Sequence, residues 1–263
     1  MKKQTKSKKH LPAGLPEFLT VLGIVLLIVL AILLIRSCTP SGTSFTPETT
    51  PAETEEKTIP TTTELLPLPI ADIGLPLNIT QSITVDNLFT ATGYYPEDGT
   101  DEEVENILAA KFTNTNDKTL EYLTASLTVN GEVYNFAITT VPAHASVYVF
   151  NAERKTAPET VSSLNGAVEY EIFFREEPTK MEDIISLKVE NGMIVVENIS
   201  SEDITSDIVV YYKSAVENGY LGGITYRLRA AGGLKAGESY NGYAPHSYAH
   251  MTEVMFVELE GEK

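Results

Sequence analysis

The sequence predicts a mainly β protein: two tandem β-sandwich modules carried on an N-terminal transmembrane helix and a disordered stalk. Three observations predict it. Residues 18–35, FLTVLGIVLLIVLAILLI, hold no charged side chain. Residues 39–63 hold few apolar side chains and many Thr, Pro and Glu. From about residue 75 onward apolar and polar residues alternate between Asn, Gly and Asp punctuation, and long helical periodicity is absent.

The apolar run comes first. As a helix rising ~1.5 Å per residue it covers ~27 Å, close to the hydrocarbon thickness of a bilayer. Ahead of it, MKKQTKSKKH carries Lys2, Lys3, Lys6, Lys8 and Lys9, with no acid before Glu17. Beyond it stands Arg36, then no basic residue until Lys57. This asymmetry predicts a cytoplasmic tail over 1–17, a membrane helix over 18–36 whose partner is the lipid bilayer, and an exported C-terminal part.

Two other readings of the N-terminus share that location. A cleaved secretory signal starts with similar basic residues, but its apolar region runs only ~7–15 residues to a small-residue cleavage site. Here the run is longer and ends at Ile35-Arg36. A lipoprotein signal would lipidate Cys38; Ile35-Arg36-Ser37-Cys38 matches a lipobox only with Arg where a small apolar residue belongs.

Residues 1–36 contain six of the nineteen basic residues and one of the thirty-six acids. The remaining 13 basic and 35 acidic residues give 37–263 a net charge of −22. Such a surface is repelled by nucleic acid and by anionic lipid, so a DNA- or RNA-binding role is not expected. Cys38 is the only cysteine, which excludes an intramolecular disulfide. With the basic anchor, that suits a bacterial surface protein better than a eukaryotic extracellular sandwich. Asn78-Ile79-Thr80 and Asn198-Ile199-Ser200 match the glycosylation sequon, a common chance match.

The stalk is expected over 37–69. Within 39–63, ten of the twenty-five residues are Thr. Too little apolar surface is present to offset the entropy of ordering, and proline biases the chain towards extended polyproline II. Leu65-Leu66-Pro67-Leu68-Pro69-Ile70 marks the return of apolar residues.

The first module, 70–177, offers strands at 82–94, 106–114, 122–129, 132–139, 146–150 and 168–174. Asn130-Gly131 is its clearest hairpin signal, because both residues accept the positive φ of a type I′ turn. The second module, 178–263, offers strands at 184–190, 193–198, 208–213, 223–229, 239–243 and 254–259, with Glu190-Asn191-Gly192 as a second hairpin turn. Pro178 and its charged neighbours Glu176 and Glu177 mark the boundary.

The halves look alike. FTNTNDKTL at 112–120 matches VENISSEDI at 196–204 without a gap. In each, Asn114 or Asn198 closes a strand, a polar turn follows, and Leu120 or Ile204 resumes burial. VPAHASV at 141–147 matches LKAGESY at 234–240, with His144 in the place of Gly237. The additional residues of the second half fall around 220–226, YLGGITY. Two turn-rich β modules of this size suit tandem immunoglobulin-like sandwiches. The order of strand, Asn, polar turn, strand and Ala-Gly-Glu-Ser is similar to FxLYD-type domains of exported bacterial proteins. The whole chain resembles single-pass surface proteins of Gram-positive-type bacteria. The resemblance implies fold and location and brings no activity with it.

Candidate chemistry is sparse. His246-Ser-Tyr-Ala-His250 has i, i+4 spacing but lacks the Glu of HExxH and a third ligand, so loop histidines are expected. Asp98, Asp101, Glu102, Glu103 and Glu105 within 97–105 crowd carboxylates around Gly99, as calcium favours, without the EF-hand order; the expectation is a solvated acidic loop. Gly222-Gly223 and Gly232-Gly233 fit no phosphate loop and read as bulges or turns. Tyr211, Tyr212, Tyr220, Tyr226, Tyr240, Tyr243 and Tyr248 concentrate aromatic residues in the second module. GxSxG, SxxK and a catalytic Cys/His pair are absent. No catalytic, cofactor or metal residue is therefore assigned, and an enzyme is not expected.

The leading expectation is an envelope protein that binds another surface protein. The alternative is a carbohydrate- or cell-wall-binding module using an exposed tyrosine face, and a third is a calcium-dependent or catalytic domain resting on the acidic loop and the histidines. The orientation makes a direct prediction: protease added to intact cells, or to spheroplasts where an outer barrier exists, should remove the part from Thr39 onward. Protection of the C-terminal part would reverse the topology read from the lysines.

Overall fold

The computed structural model describes residues 63–70, 74–100, 102–246 and 251–261. The expected membrane helix over 18–36, Cys38, most of the stalk and His250 lie outside them. Among the described residues no helix is long and apolar enough to cross a membrane. The chain is mainly β there, as fourteen strands: β1 (Glu64–Pro67), β2 (Leu77–Asn78), β3 (Ile83–Tyr94), β4 (Glu103–Asn114), β5 (Leu120–Val129), β6 (Glu132–Val141), β7 (Ser146–Phe150), β8 (Leu164–Phe173), β9 (Ile185–Glu190), β10 (Met193–Asn198), β11 (Asp207–Val216), β12 (Gly219–Ala230), β13 (Ser239–Tyr243) and β14 (Thr252–Glu260).

Every expected strand is present, and 146–150, 193–198 and 239–243 keep their bounds. Asn130 and Gly131 both take positive φ between β5 and β6, as do Asn191 and Gly192 between β9 and β10. Two strands escaped the sequence reading. β1 lies inside the expected stalk of 37–69, and its residues pair antiparallel with β3, Leu65 opposite Ala91. Leucine supplies the reason: Leu68 is buried, Leu65 packs beside Phe89, and Pro67 sits on an edge strand. β2 is a two-residue pairing with β3, too short to show a period.

The strands form three sheets. The large one runs β1-β3-β4-β7-β12-β11-β14, with β2 on β3; the small ones run β6-β5-β8 and β13-β10-β9. Apolar residues of β3, β4 and β7, among them Leu88, Leu108, Phe112 and Val149, pack with Leu123, Leu127, Phe136 and Ile138 of β5 and β6. A second core joins Ile194 and Val196 of β10 to Ile208, Val210 and Tyr212 of β11 and Leu228 of β12. β4 is buried on both faces around its middle: Leu108 and Ala110 enter the first core, while Ile107 and Ala109 meet Phe89, Tyr95 and Phe150 on the other side. That double burial explains its continuous apolar run, ILAA.

Asn114 and Asn198 are both buried, and each ties a corner of its half. The Asn114 amide donates to Lys118 O at 2.9 Å and Val141 O at 3.0 Å, while its oxygen accepts from Asn116 N. The Asn198 amide donates to Glu202 O at 2.8 Å and Leu234 O at 3.0 Å, while its oxygen accepts from Ser200 N. These are equivalent positions in the two matched stretches. The backbone repeats the correspondence: Asn114 N bonds Ala145 O and Asn198 N bonds Glu238 O. Leu120 pairs with Val141 as Ile204 pairs with Leu234. His144 and Gly237 share a positive φ at the matching turn. Enclosure of its amide also removes Asn198 from use as a glycosylation acceptor in the folded chain.

Removing either asparagine side chain strands two or more buried carbonyls, each worth roughly 1–3 kcal/mol when left unpaired. Asn114→Ala and Asn198→Ala should each lower stability by at least about 2 kcal/mol in urea unfolding. A loss below about 0.5 kcal/mol at either corner would show that the network does not carry that corner.

Candidate functional site

The strongest local chemistry lies where the large sheet crosses from its first half to its second. There β7 and β12 run parallel, with Tyr220 opposite Val147 and Leu221 opposite Tyr148. Just beyond, the antiparallel pairing of β12 with β11 breaks. Tyr212 pairs with Tyr226 and Ser214 with Leu221, so Lys213 alone faces residues 222–225. This is an extended bulge, and its peptide groups have lost their ladder partners.

Two buried side chains replace the ladder. Lys213 is fully buried, and its ammonium donates to Gly222 O at 3.1 Å, Gly223 O at 2.8 Å and Ile224 O at 2.9 Å. All three ammonium protons are thereby used. From the other side Glu97 accepts from Gly223 N at 2.8 Å and Ile224 N at 3.3 Å, and also from Phe150 N at the end of β7 at 2.9 Å. The residue keeps part of its surface open, but its carboxylate is enclosed against these amides.

Both bonding patterns belong to the charged forms, and burial opposes both charges. Burial pushes the Glu97 carboxyl up to about 7, against the pull of its backbone donors and Lys213. Burial pushes the Lys213 ammonium down to about 7, against the pull of Glu97.

Neighbouring groups fix the bulge in place. Tyr226 Oη donates to Pro96 O at 2.6 Å, and Thr139 Oγ1 of β6 lies 2.9 Å from Thr225 Oγ1. Gly222 has φ +88°, and a Cβ there would stand 2.9 Å from Pro96 Cβ. At Gly223 a Cβ would meet Ala137 O and Val149 Cγ1. The glycine pair thus lets the bulge enter between β6, β7 and the 95–97 turn, in keeping with its reading as a bulge.

Of the residues singled out in the sequence, the Gly222-Gly223 pair and Tyr226 are brought together here. Glu97 leaves the acidic loop of 97–105 and turns inward, whereas the sequence reading kept it solvated. Asp98 and Glu102 pair with Arg154, whose guanidinium lies 4.3 Å from the Tyr95 ring centroid. Asp101 is outside the described residues, which contain no group of three or more His, Cys, Asp or Glu able to hold a metal. His144 is an exposed turn residue 3.0 Å from Asp117, and His246 stacks on Tyr226 at 4.4 Å. Gly233 packs against Ile204 O in a turn.

The tyrosines do not form one face. Tyr212 and Tyr220 are buried, Tyr211 donates to Glu258 at 2.9 Å, and Tyr243 stands 73 % exposed. Tyr248 lies outside the described residues. A groove of about 490 Å³ between β9 and β14 is lined by Lys180, Glu182, Leu187 and Glu253 among others, away from Glu97 and Lys213.

Sequence reasoning missed Lys213. Its only signal was a lone cation inside the apolar run IVVYYKSAV, opposite the glycine pair. Compared with protein-family models, curated proteins and solved structures, the chain matches none.

Lys213→Met would leave three carbonyls and a buried carboxylate without their cation, and should cost roughly 3–5 kcal/mol. The pair also predicts a pH profile. A carboxyl raised from 4.5 to about 7 holds its proton more tightly in the folded state, so its contribution to stability falls as pH rises from about 4.5 to 7. An ammonium lowered from 10.5 to about 7 releases its proton sooner, so stability recovers from about 7 to 10.5. Relative to Glu97→Gln/Lys213→Met, the native chain should therefore show a stability minimum near neutrality. A flat difference from pH 5 to 9 would refute the shifts.

Proposed function

We propose that this chain is a membrane-anchored, extracytoplasmic and non-enzymatic binding protein of the cell envelope. Its N-terminus is cytoplasmic, residues 18–36 are held in the bilayer, and tandem immunoglobulin-like sandwiches are presented on a stalk to another surface protein. The observation that carries the reading is the use made of Glu97 and Lys213. The two side chains most displaced in their titration are consumed by backbone bonds where the halves meet. Perturbed groups at a catalytic centre face a cleft; these face peptide groups. They hold two β bodies in one arrangement, which suits a surface that must keep its shape for a partner.

The lysine asymmetry and the Thr/Pro/Glu segment support the placement. A body carrying net −22 is repelled by anionic headgroups, and at ~0.15 M salt this repulsion fades over ~8 Å. A stalk of a few nanometres takes the body beyond it.

Reach should therefore matter more than stalk sequence. Replacing 39–63 with a Gly/Ser-rich linker, lengthened because such a coil spans only ~5–6 Å × √n, should preserve partner recruitment. Deleting 39–63 should abolish it, and His246→Ala/His250→Ala should leave it intact. Loss of recruitment on the double histidine change, with the fold preserved, would overturn the non-enzymatic reading in favour of a metal or catalytic site.

A further inference from the structure

Resting on the binding reading above, we propose that β8 is the docking strand, taking an extended basic segment of a protein partner as a fourth strand on the β6-β5-β8 sheet. β8 is ten residues long and pairs with β5 on one side only. Among the described residues its other edge receives no backbone hydrogen bond, and Asn165, Gly166, Ala167 and Glu169 are exposed along it.

The other sheet edges are shorter or partly met: β1, β9 and β13 have four, six and five residues. Val257 N of β14 bonds Thr179 O, and Phe174 packs edge-on against Phe256 at 5.5 Å. β6 is closed by the bulge of β12 through Thr139 and Thr225. Residues 79 and 80 meet β8 through side chains, Ile79 beside Gly166 and Thr80 Oγ1 donating to Glu171 at 2.8 Å, and the backbone groups of this edge stay open to another strand.

The side chains beside that edge specify the occupant. On the outer face Tyr122 stands opposite Ile172 and Thr124 opposite Tyr170. Tyr170 is 56 % exposed and Ile172 47 %. Alternate residues of an added strand would extend this apolar face, and the intervening ones would stand on the side of Glu171. The three strands of the sheet carry Glu121, Glu132, Glu169 and Glu171 and no Lys or Arg. An incoming segment of alternating apolar and basic residues matches both features. A second copy of this chain does not, because two β8 edges would set Glu169 and Glu171 against their own kind.

The test uses the full-length chain in detergent at 0.15 M salt, with a capped ten-residue peptide of alternating Lys and Val as probe and an alternating Glu and Val peptide as control. Binding of the Lys/Val peptide should slow amide hydrogen exchange within 164–173 by about tenfold or more. The control should leave exchange there unchanged. Tyr170→Ser/Ile172→Ser and Glu169→Lys alter exposed side chains and should each weaken the protection with the fold intact. Attraction of the peptide to the acidic body without protection of β8 would overturn the proposal. Protection that grows with protein concentration in the absence of peptide would overturn it in favour of self-association. A native partner that crosslinks elsewhere while β8 stays unprotected would remove this surface and leave the binding reading standing, whereas loss of recruitment on the double histidine change strikes that reading alone.

Discussion

Four residues of β12 have no strand to pair with, and the joined sheet depends on how their peptide groups are satisfied. An unpaired buried amide or carbonyl forfeits more than an ordinary hydrogen bond contributes. Lys213 bonds the carbonyls of 222–224 and Glu97 the N–H groups of 223 and 224, so the bulge lies between a cation and an anion. Because Glu97 also accepts from Phe150 N, the same carboxylate holds the end of β7 to the bulge. The parallel β7–β12 pairing spans only two residue pairs and would be weak alone. The charged bracket, the Tyr226–Pro96 bond and the Thr139–Thr225 contact extend the contact well past it.

The two asparagine corners solve a similar problem at smaller scale. Asn114 and Asn198 each end a strand at a place where the chain must turn while still enclosed by the core. Each lends an amide to two separated carbonyls and an oxygen to the next turn. A neutral side chain suffices because only a few backbone groups are orphaned. At the bulge three carbonyls converge on one point, and an ammonium is the side-chain donor that can serve all three at once.

Charge is distributed with the same economy. Acidic side chains dominate the surface, yet the pairs that close loops are specific: Arg154 with Asp98 and Glu102, and Arg229 with Asp207. Those contacts are exposed and contribute little to stability. They tie Asp98 and Glu102 to Arg154 beside Tyr95, and Asp207 to Arg229 near the turn after β12. The strands of the small β6-β5-β8 sheet carry no Lys or Arg, and Lys155 reaches only β6, where its ammonium donates to Val133 O; the β8 side stays acidic and partly apolar.

Alternation and turn chemistry alone determined the strands. Period-two patterning located β3 to β14, Asn130-Gly131 and Asn191-Gly192 set two hairpins, and the matched stretches around Asn114 and Asn198 marked equivalent corners. Those features are local, and a local pattern reports which residues seek burial and where the chain turns. β1 was hidden because four residues beside a Thr-rich segment carry too little pattern to distinguish a strand from a spacer. The joining of the halves was equally hidden. Glu97 sits among carboxylates in an acidic stretch, and Lys213 lies 116 positions away in the numbering of the chain. Nothing near Glu97 announces burial, and the apolar run around Lys213 does not say what would bond its ammonium, since what makes each charge tolerable is the backbone of 222–224, supplied by a third segment. Only the tertiary structure brings these together, because pairing a buried charge requires knowing which distant peptide groups it will meet.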